Sequence, residues 1–258
     1  MTKFDVYDCL VPVFLETELP KRVVQIGTAI FRELWGELFL FTAAHVTDEH
    51  ERGTLLVPTV QGLMPIEGYR AYVDLPADVS RGEDTVDIAY YRLSSSFGIQ
   101  VCNYFKPLPH GRGEIIKSAQ DLSICSASGY PATKTKKDSN GAFSSKIYSF
   151  RGAVADPDIY RNLELSPHSS IVIQFHKKRA LDPETGKLFP TPSLKGISGG
   201  AIFAWPLGAE LSNDWALPKL VGIVHTFKER EGLIIGTTLL PVMAAISLGR
   251  MKKFDGIR

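Results

Sequence analysis

The chain has 258 residues, of which 44% are hydrophobic and 22% charged. That length and apolar content suffice for a sizeable core and suit one globular unit of a two-lobed kind. Lys and Arg number 29 against 28 Asp and Glu, so with a formal charge of +1 no overall field points to nucleic acid or an anionic membrane as a partner.

The chain opens Met1-Thr2-Lys3-Phe4-Asp5, and Asp5, Asp8 and Glu16 interrupt any apolar signal core, so no signal peptide is expected. Short runs rich in β-branched and aromatic residues then alternate with turn residues. Strands are expected at Val23–Phe31, Leu38–Thr42, Thr54–Pro58, Tyr69–Val73 and Ile88–Leu93. A break rich in Pro, His and Gly runs from Lys106 to Gly113. Strands resume at Leu122–Ser128, Lys146–Val154, Ser170–Phe175, Gly200–Trp205, Lys219–Thr226 and Leu233–Thr238. The break divides the chain into lobes at 1–112 and 113–258, and the spacing predicts an all-β fold of two antiparallel barrels or sandwiches. Pro241–Leu248 has the composition of a closing helix, with proline at a permitted first position. No run is long enough to span a bilayer, and no internal repeat stands out.

Two loops depart from this rhythm. Thr133–Ala142 is polar, and His176–Pro192 is charged and leads straight into a glycine-rich turn, so it reads as a specificity loop or as a surface insertion. Lys134, Lys136 and Lys137 and the run Lys177-Lys178-Arg179 are basic but short, which fits solvated loops better than a binding patch. The three cysteines, Cys9, Cys102 and Cys125, form no disulfide framework and are expected as buried free thiols. With no export signal they suggest a reducing, cytoplasmic setting. His50, His110, His168, His176 and His225 have no Cys or His partner at a metal-ligand spacing, so neither metal nor organic cofactor is expected.

Three segments carry chemistry. Leu194-Lys195-Gly196-Ile197-Ser198-Gly199-Gly200 places a serine between glycines, before the apolar run Ala201-Ile202-Phe203. The string reads either as an ordinary turn or as the seat of a nucleophile whose backbone N–H groups converge on one point. A serine hydroxyl needs a base to take its proton. Phe39-Leu40-Phe41-Thr42-Ala43-Ala44-His45 offers one at a strand end, and Asp87, which opens Ile88–Leu93, can hold its ring in the useful tautomer. Asp84 is a local rival to Asp87.

In the order His, Asp, Ser, these segments resemble the motifs of trypsin-like, chymotrypsin-fold serine proteases: Thr42-Ala43-Ala44-His45, Asp87-Ile88-Ala89 and Gly196-Ile197-Ser198-Gly199-Gly200. Gly27-Thr28-Ala29-Ile30-Phe31 resembles the strand before the histidine strand, and Val221–Thr226 the strand that pairs with substrate. The resemblance implies two antiparallel six-stranded β-barrels with a C-terminal helix, and a serine endopeptidase acting through His45, Asp87 and Ser198. It implies an oxyanion hole from the N–H groups of Gly196 and Ser198. Nothing at the N-terminus resembles the activation sequence of the secreted members, and Ile197 replaces the aspartate that would pair with a new amine. The pocket base falls on Pro192 rather than an aspartate, and His225, Thr226 and Phe227 hold the substrate-pairing positions, which suggests a small or apolar side chain before the scissile bond. The expected substrate is a protein or peptide, with limited processing of a specific intracellular protein such as an effector. The alternatives are a catalytically silent binding module and a hydrolase of a non-peptide acyl bond.

Overall fold

The computed structural model describes residues 5–18, 22–72, 75, 79–137, 143–175, 192–210, 212–214 and 216–251. The first sheet comprises β1 (Leu10–Thr17), β2 (Arg22–Leu34), β3 (Glu37–Thr42), β4 (Thr54–Thr59), β5 (Gly62–Pro65), β6 (Gly68–Tyr72) and β7 (Ala89–Leu93). Its strands pair antiparallel in the order β5-β4-β1-β2-β3-β7-β6. β2 turns into β3 through Trp35 and Gly36, with φ of 53° and 79°, a two-residue turn whose twist matches that of its strands.

Only Ile66 and Glu67 separate β5 from β6. The Ile66 N–H donates to the Leu55 carbonyl (3.1 Å), while the Glu67 carbonyl accepts from the Ser94 N–H (3.1 Å). β5 and β6 therefore act as one strand bent around a corner, and the first barrel has six strands when it is counted so. β1 has no counterpart among the expected strands, because Pro12 interrupts its apolar run. Pro12 lies opposite Thr28 of β2, and β4 pairs only with Phe14–Glu16, so the proline breaks no ladder on the β4 side.

The second sheet comprises β8 (Ile124–Gly129), β11 (Tyr148–Ala153), β12 (Ser170–Gln174), β13 (Ala201–Ala204), β14 (Lys219–Lys228) and β15 (Leu233–Thr238), in the order β11-β8-β13-β14-β15-β12. A bridge between Val154 and Ile173 and a 2.8 Å bond from the Ala155 N–H to the Val172 carbonyl join its two edges. The pair β9 (Lys136–Lys137) and β10 (Phe143–Ser144) stands apart as a ribbon. The helices are α1 (Ala44–Asp48), α2 (Ser95–Cys102), α3 (Pro157–Asn162) and α4 (Leu239–Met251). The first three are too short for an apolar period to reveal them, and α4 is longer than the expected Pro241–Leu248.

β2 and β3 are buried on both faces. Phe31 and Leu40 enter the first barrel with Val11, Val57 and Phe97. Ile30, Phe39 and Phe41 point the other way, to Phe203, Leu220 and Ile223 of the second lobe and to the α4 stripe Leu239, Val242, Met243 and Ile246. That stripe recurs at helical spacing. The second barrel is filled by Ile171, Ile173, Ile202, Val221 and Ile234. The fold is thus the expected all-β double barrel, with a C-terminal helix in the seam. Arg32 is also buried there. Its Nη2 donates to the His110 carbonyl (3.3 Å), while Nε and Nη1 have no partner among the described residues.

Cys9 and Cys125 are buried free thiols as expected, and burial pushes both thiols up. Cys102 is not: it ends α2 and is exposed. Among the described residues no helix is long and apolar enough to cross a membrane.

Candidate active site

β3 and β7 pair through Thr42 and Ala89, so the residues just beyond, Ala43–His45 and Asp87–Ile88, run on side by side. The Ala44 N–H donates to the Asp87 carbonyl (3.3 Å) and the His45 N–H to Asp87 Oδ1 (3.0 Å). The ring completes the contact, with His45 Nδ1 2.6 Å from Asp87 Oδ2. The aspartate side chain is 5% exposed and the histidine 37%. Burial pushes the Asp87 pKa up, but the His45 hydrogen bonds and charge pull harder, and the carboxyl sits below its ordinary value. An ionised Asp87 keeps the proton on Nδ1 and leaves the Nε2 lone pair free. Asp84 is engaged elsewhere, with Arg81 (2.7 Å) and the Val86 N–H (2.9 Å).

The serine loop is two overlapping turns, closed by Ile197 N–H to the Leu194 carbonyl (3.0 Å) and Gly200 N–H to the Ile197 carbonyl (2.8 Å). Ile197 is buried in the second core and anchors it. At Gly199 φ is +83°, and a Cβ there would lie 2.0 Å from the Thr28 carbonyl oxygen, so no other residue fits. Thr28, on β2, clasps the loop from the opposite lobe. Its N–H donates to the Ser198 carbonyl (2.8 Å) and its hydroxyl to the Gly196 carbonyl (3.0 Å). The same hydroxyl accepts from the Tyr130 N–H (2.9 Å). The Lys195 carbonyl takes the Ala132 N–H at 2.8 Å. The N–H groups of Gly196 and Ser198 meet no acceptor among the described residues.

Gly27 is packed between the segment after the base and the serine loop. A Cβ on it would lie 2.7 Å from Val46 Cγ1, next to His45, and 3.2 Å from the Ser198 carbonyl oxygen. The Ser198 hydroxyl donates to the His225 carbonyl (3.3 Å), and no hydrogen bond joins it to His45. His45 and Lys195 both line a cleft of about 1350 Å³, with Gln25, Val46, Ala132 and Phe143 among its walls.

The remaining expected site residues behave differently from one another. Pro192 is buried, and residues 176–191 of the loop before it lie outside the described residues, as do residues 138–142 of the polar loop. Thr226 is exposed, whereas the Phe227 ring packs against Phe175, centroids 6.5 Å apart. His225 offers its carbonyl to the site, but its ring is buried. β13 pairs with β14 only as far as Ile223, so from His225 onward β14 has β15 on one side alone. Thr28 and Ala132, which hold the serine loop, went unread in the sequence. Gly27–Phe31 is read there only as the strand before the histidine strand, and these contacts come from far along the chain.

No protein-family model and no curated protein matches the chain. Solved structures do. Neuropsin, a serine protease expressed in the limbic system of mouse brain, is 14% identical over 95% of each chain, with a TM-score of 0.55. The serine protease domain of the Sesbania mosaic virus polyprotein is 15% identical over 92% of this chain and 91% of its own, with a TM-score of 0.49. At such identities the likeness is one of fold, and the chain has the chymotrypsin-like double barrel of serine proteases.

Proposed function

We propose that the protein is a serine endopeptidase. Ser198 Oγ attacks a peptide carbonyl while His45 Nε2 takes its proton, and the same proton passes to the leaving amine. Water then releases the acyl group by the same route, with Asp87 stabilising the imidazolium. The N–H groups of Gly196 and Ser198 receive the oxyanion, a role in which one donor is worth about 2.7–4 kcal/mol of barrier. The observation that carries this reading is the 2.6 Å His45–Asp87 contact, with a serine loop whose N–H groups at Gly196 and Ser198 are uncommitted packed on the other side of Gly27.

We take the lobes to divide at 112/113, so that the base and its aspartate belong to one lobe and the serine to the other. We also propose limited processing of a specific intracellular protein, with a small or apolar side chain before the scissile bond. Rapid digestion of casein by the purified protein would refute the limited-processing part, and a peptide-library profile favouring Lys or Arg would refute the apolar preference.

One observation favours a second reading, a silent binding module: the Ser198 hydroxyl rests on the His225 carbonyl rather than on His45. Fluorophosphonate labelling separates the two. Wild type is expected to label and Ser198→Ala is not. Equal, background labelling of both would end the enzyme reading.

A further inference from the structure

His45 and Asp87 meet between two segments that are weakly held on their own. α1, which carries His45, is five residues long, and Ala43 before it makes no side-chain capping bond. A helix that short does not hold itself. Asp87 stands near the end of a stretch, Ser80–Ile88, that pairs with no strand among the described residues. The bonds within that stretch are local. Ser80 and Glu83 close a single 3-10 turn over Arg81–Glu83 as a capping box, and the Val86 N–H donates to Asp84 Oδ1 (2.9 Å). From the second sheet, Thr237 donates its hydroxyl to the Val86 carbonyl (2.8 Å), beside the β14 bulge that leaves His225 unpaired with β15.

Arg81 joins the two segments. Its Nε donates to Asp48 Oδ2 (2.8 Å) and its Nη1 to Asp84 Oδ2 (2.7 Å). Asp48 lies three residues after His45, about one helical turn, and Asp84 three residues before Asp87. Three successive rungs result: the ladder pairs Thr42 with Ala89, the candidate base meets its aspartate, and one guanidinium links Asp48 to Asp84. The Arg81 side chain is 20% exposed and that of Asp84 4%.

Ion pairs at this depth add little net stability, because desolvation offsets attraction. What a planar guanidinium adds is geometry: two of its nitrogens hold two carboxylates at a set separation and angle. Both oxygens of Asp84, the rival of Asp87, are thereby engaged by donors other than His45. We propose, on the basis of the serine-endopeptidase reading, that Arg81 is a positioning residue: by bridging Asp48 and Asp84 it fixes the base-bearing helix against the aspartate-bearing stretch, and with them the alignment of the His45–Asp87 pair.

Two variants separate the bridge from its charge. Arg81→Lys keeps the charge but has one nitrogen for two carboxylates. Asp48→Ala cuts one arm and leaves the buried Arg81–Asp84 pair in place, so the test survives if the lysine variant does not fold. In both, kcat for a peptide substrate is expected to fall about 10–100-fold, as for a displacement of about 1 Å, with KM little changed. The double variant should be no worse than either single one, because each breaks the same link. The proton on His45 Nδ1, in a 2.6 Å bond to a carboxylate, resonates far downfield and reports that bond without calling on activity. Its signal is expected to move upfield in both variants. An unmoved signal overturns the proposal, and so does a wild type that labels with a fluorophosphonate but whose variants lose melting temperature and no kcat. A wild type that does not label loses the enzyme reading, while a shifted signal in the variants still keeps the bridge.

Discussion

Asp87 gives one carboxylate oxygen to the His45 ring and the other to its backbone N–H, so the ring's position and its tautomer are set together. Asp87→Asn keeps the shape but presents a donor where Nδ1–H needs an acceptor. Turnover at neutral pH should fall on the order of 10⁴-fold with the melting temperature little changed; steady-state kinetics beside a thermal melt would check both. The two buried groups both cost stability on acidification, in different pH windows. The Asp87 carboxyl is held below its ordinary value, so its contribution persists until the pH falls below the unfolded carboxylate value. His225 is lowered from 6.5 to about 4, so the unfolded chain takes the proton first, and stability drains away between those values by about 3 kcal/mol. His225→Asn should flatten the decline of the melting temperature across that window, and an equally steep decline in the variant would refute the assignment. His45, Asp87 and Ser198 could be singled out as candidates in the sequence because each residue type stands in a small-residue or strand-opening context. Asp87 is favoured over Asp84 because it opens the apolar run Ile88–Leu93, and in the structure it meets the His45 ring while Asp84 meets Arg81. The buried ring of His225 was not legible, because a strand position open to substrate and one closed over by a bulge look the same in sequence.

Among the elements, β2 carries a disproportionate share of the site. Thr28 engages the Gly196 and Ser198 carbonyls, the Tyr130 N–H and, through its own carbonyl, the Thr42 hydroxyl (2.7 Å). Thr28→Val keeps the volume but strands a buried carbonyl and a buried N–H, which costs about 1–3 kcal/mol. Turnover should drop as well, since the loop that presents Ser198 loses its clasp, while substrate pockets further away stay intact. A lowered kcat with an almost constant KM is the expected signature, and unchanged kcat would show that the loop holds itself. Most strands could be read from alternating apolar residues between turn residues. β1 was hidden by Pro12, α1 to α3 by their length, and the β5–β6 corner by the absence of any turn residue between two pairing partners.

At the scale of the whole molecule, the double barrel followed from strand spacing, but the seam between the lobes did not. Nothing in the run Phe39-Leu40-Phe41 says that Leu40 enters a barrel while its neighbours meet another lobe. Arg32 sits in that apolar seam as a cation with two nitrogens unpartnered among the described residues, and desolvation lowers its pKa to about 10. Arg32→Met, of similar length, should stabilise the protein by about 1–3 kcal/mol, seen as a higher denaturant midpoint; a lower one would mean that the guanidinium has a role in joining the lobes. The place of α4 has a consequence for synthesis. The stripe from Leu239 to Ile246 covers apolar surface of both lobes, yet the ribosome makes it after every described strand and after His45, Asp87 and Ser198. A nascent chain can form each barrel in turn, but it cannot close the seam until this helix has emerged. His45 and Ser198, carried on opposite sheets, would then be held in lasting register only once this helix has docked, so on the reading proposed above the emerging chain would gain its activity after its strands are made.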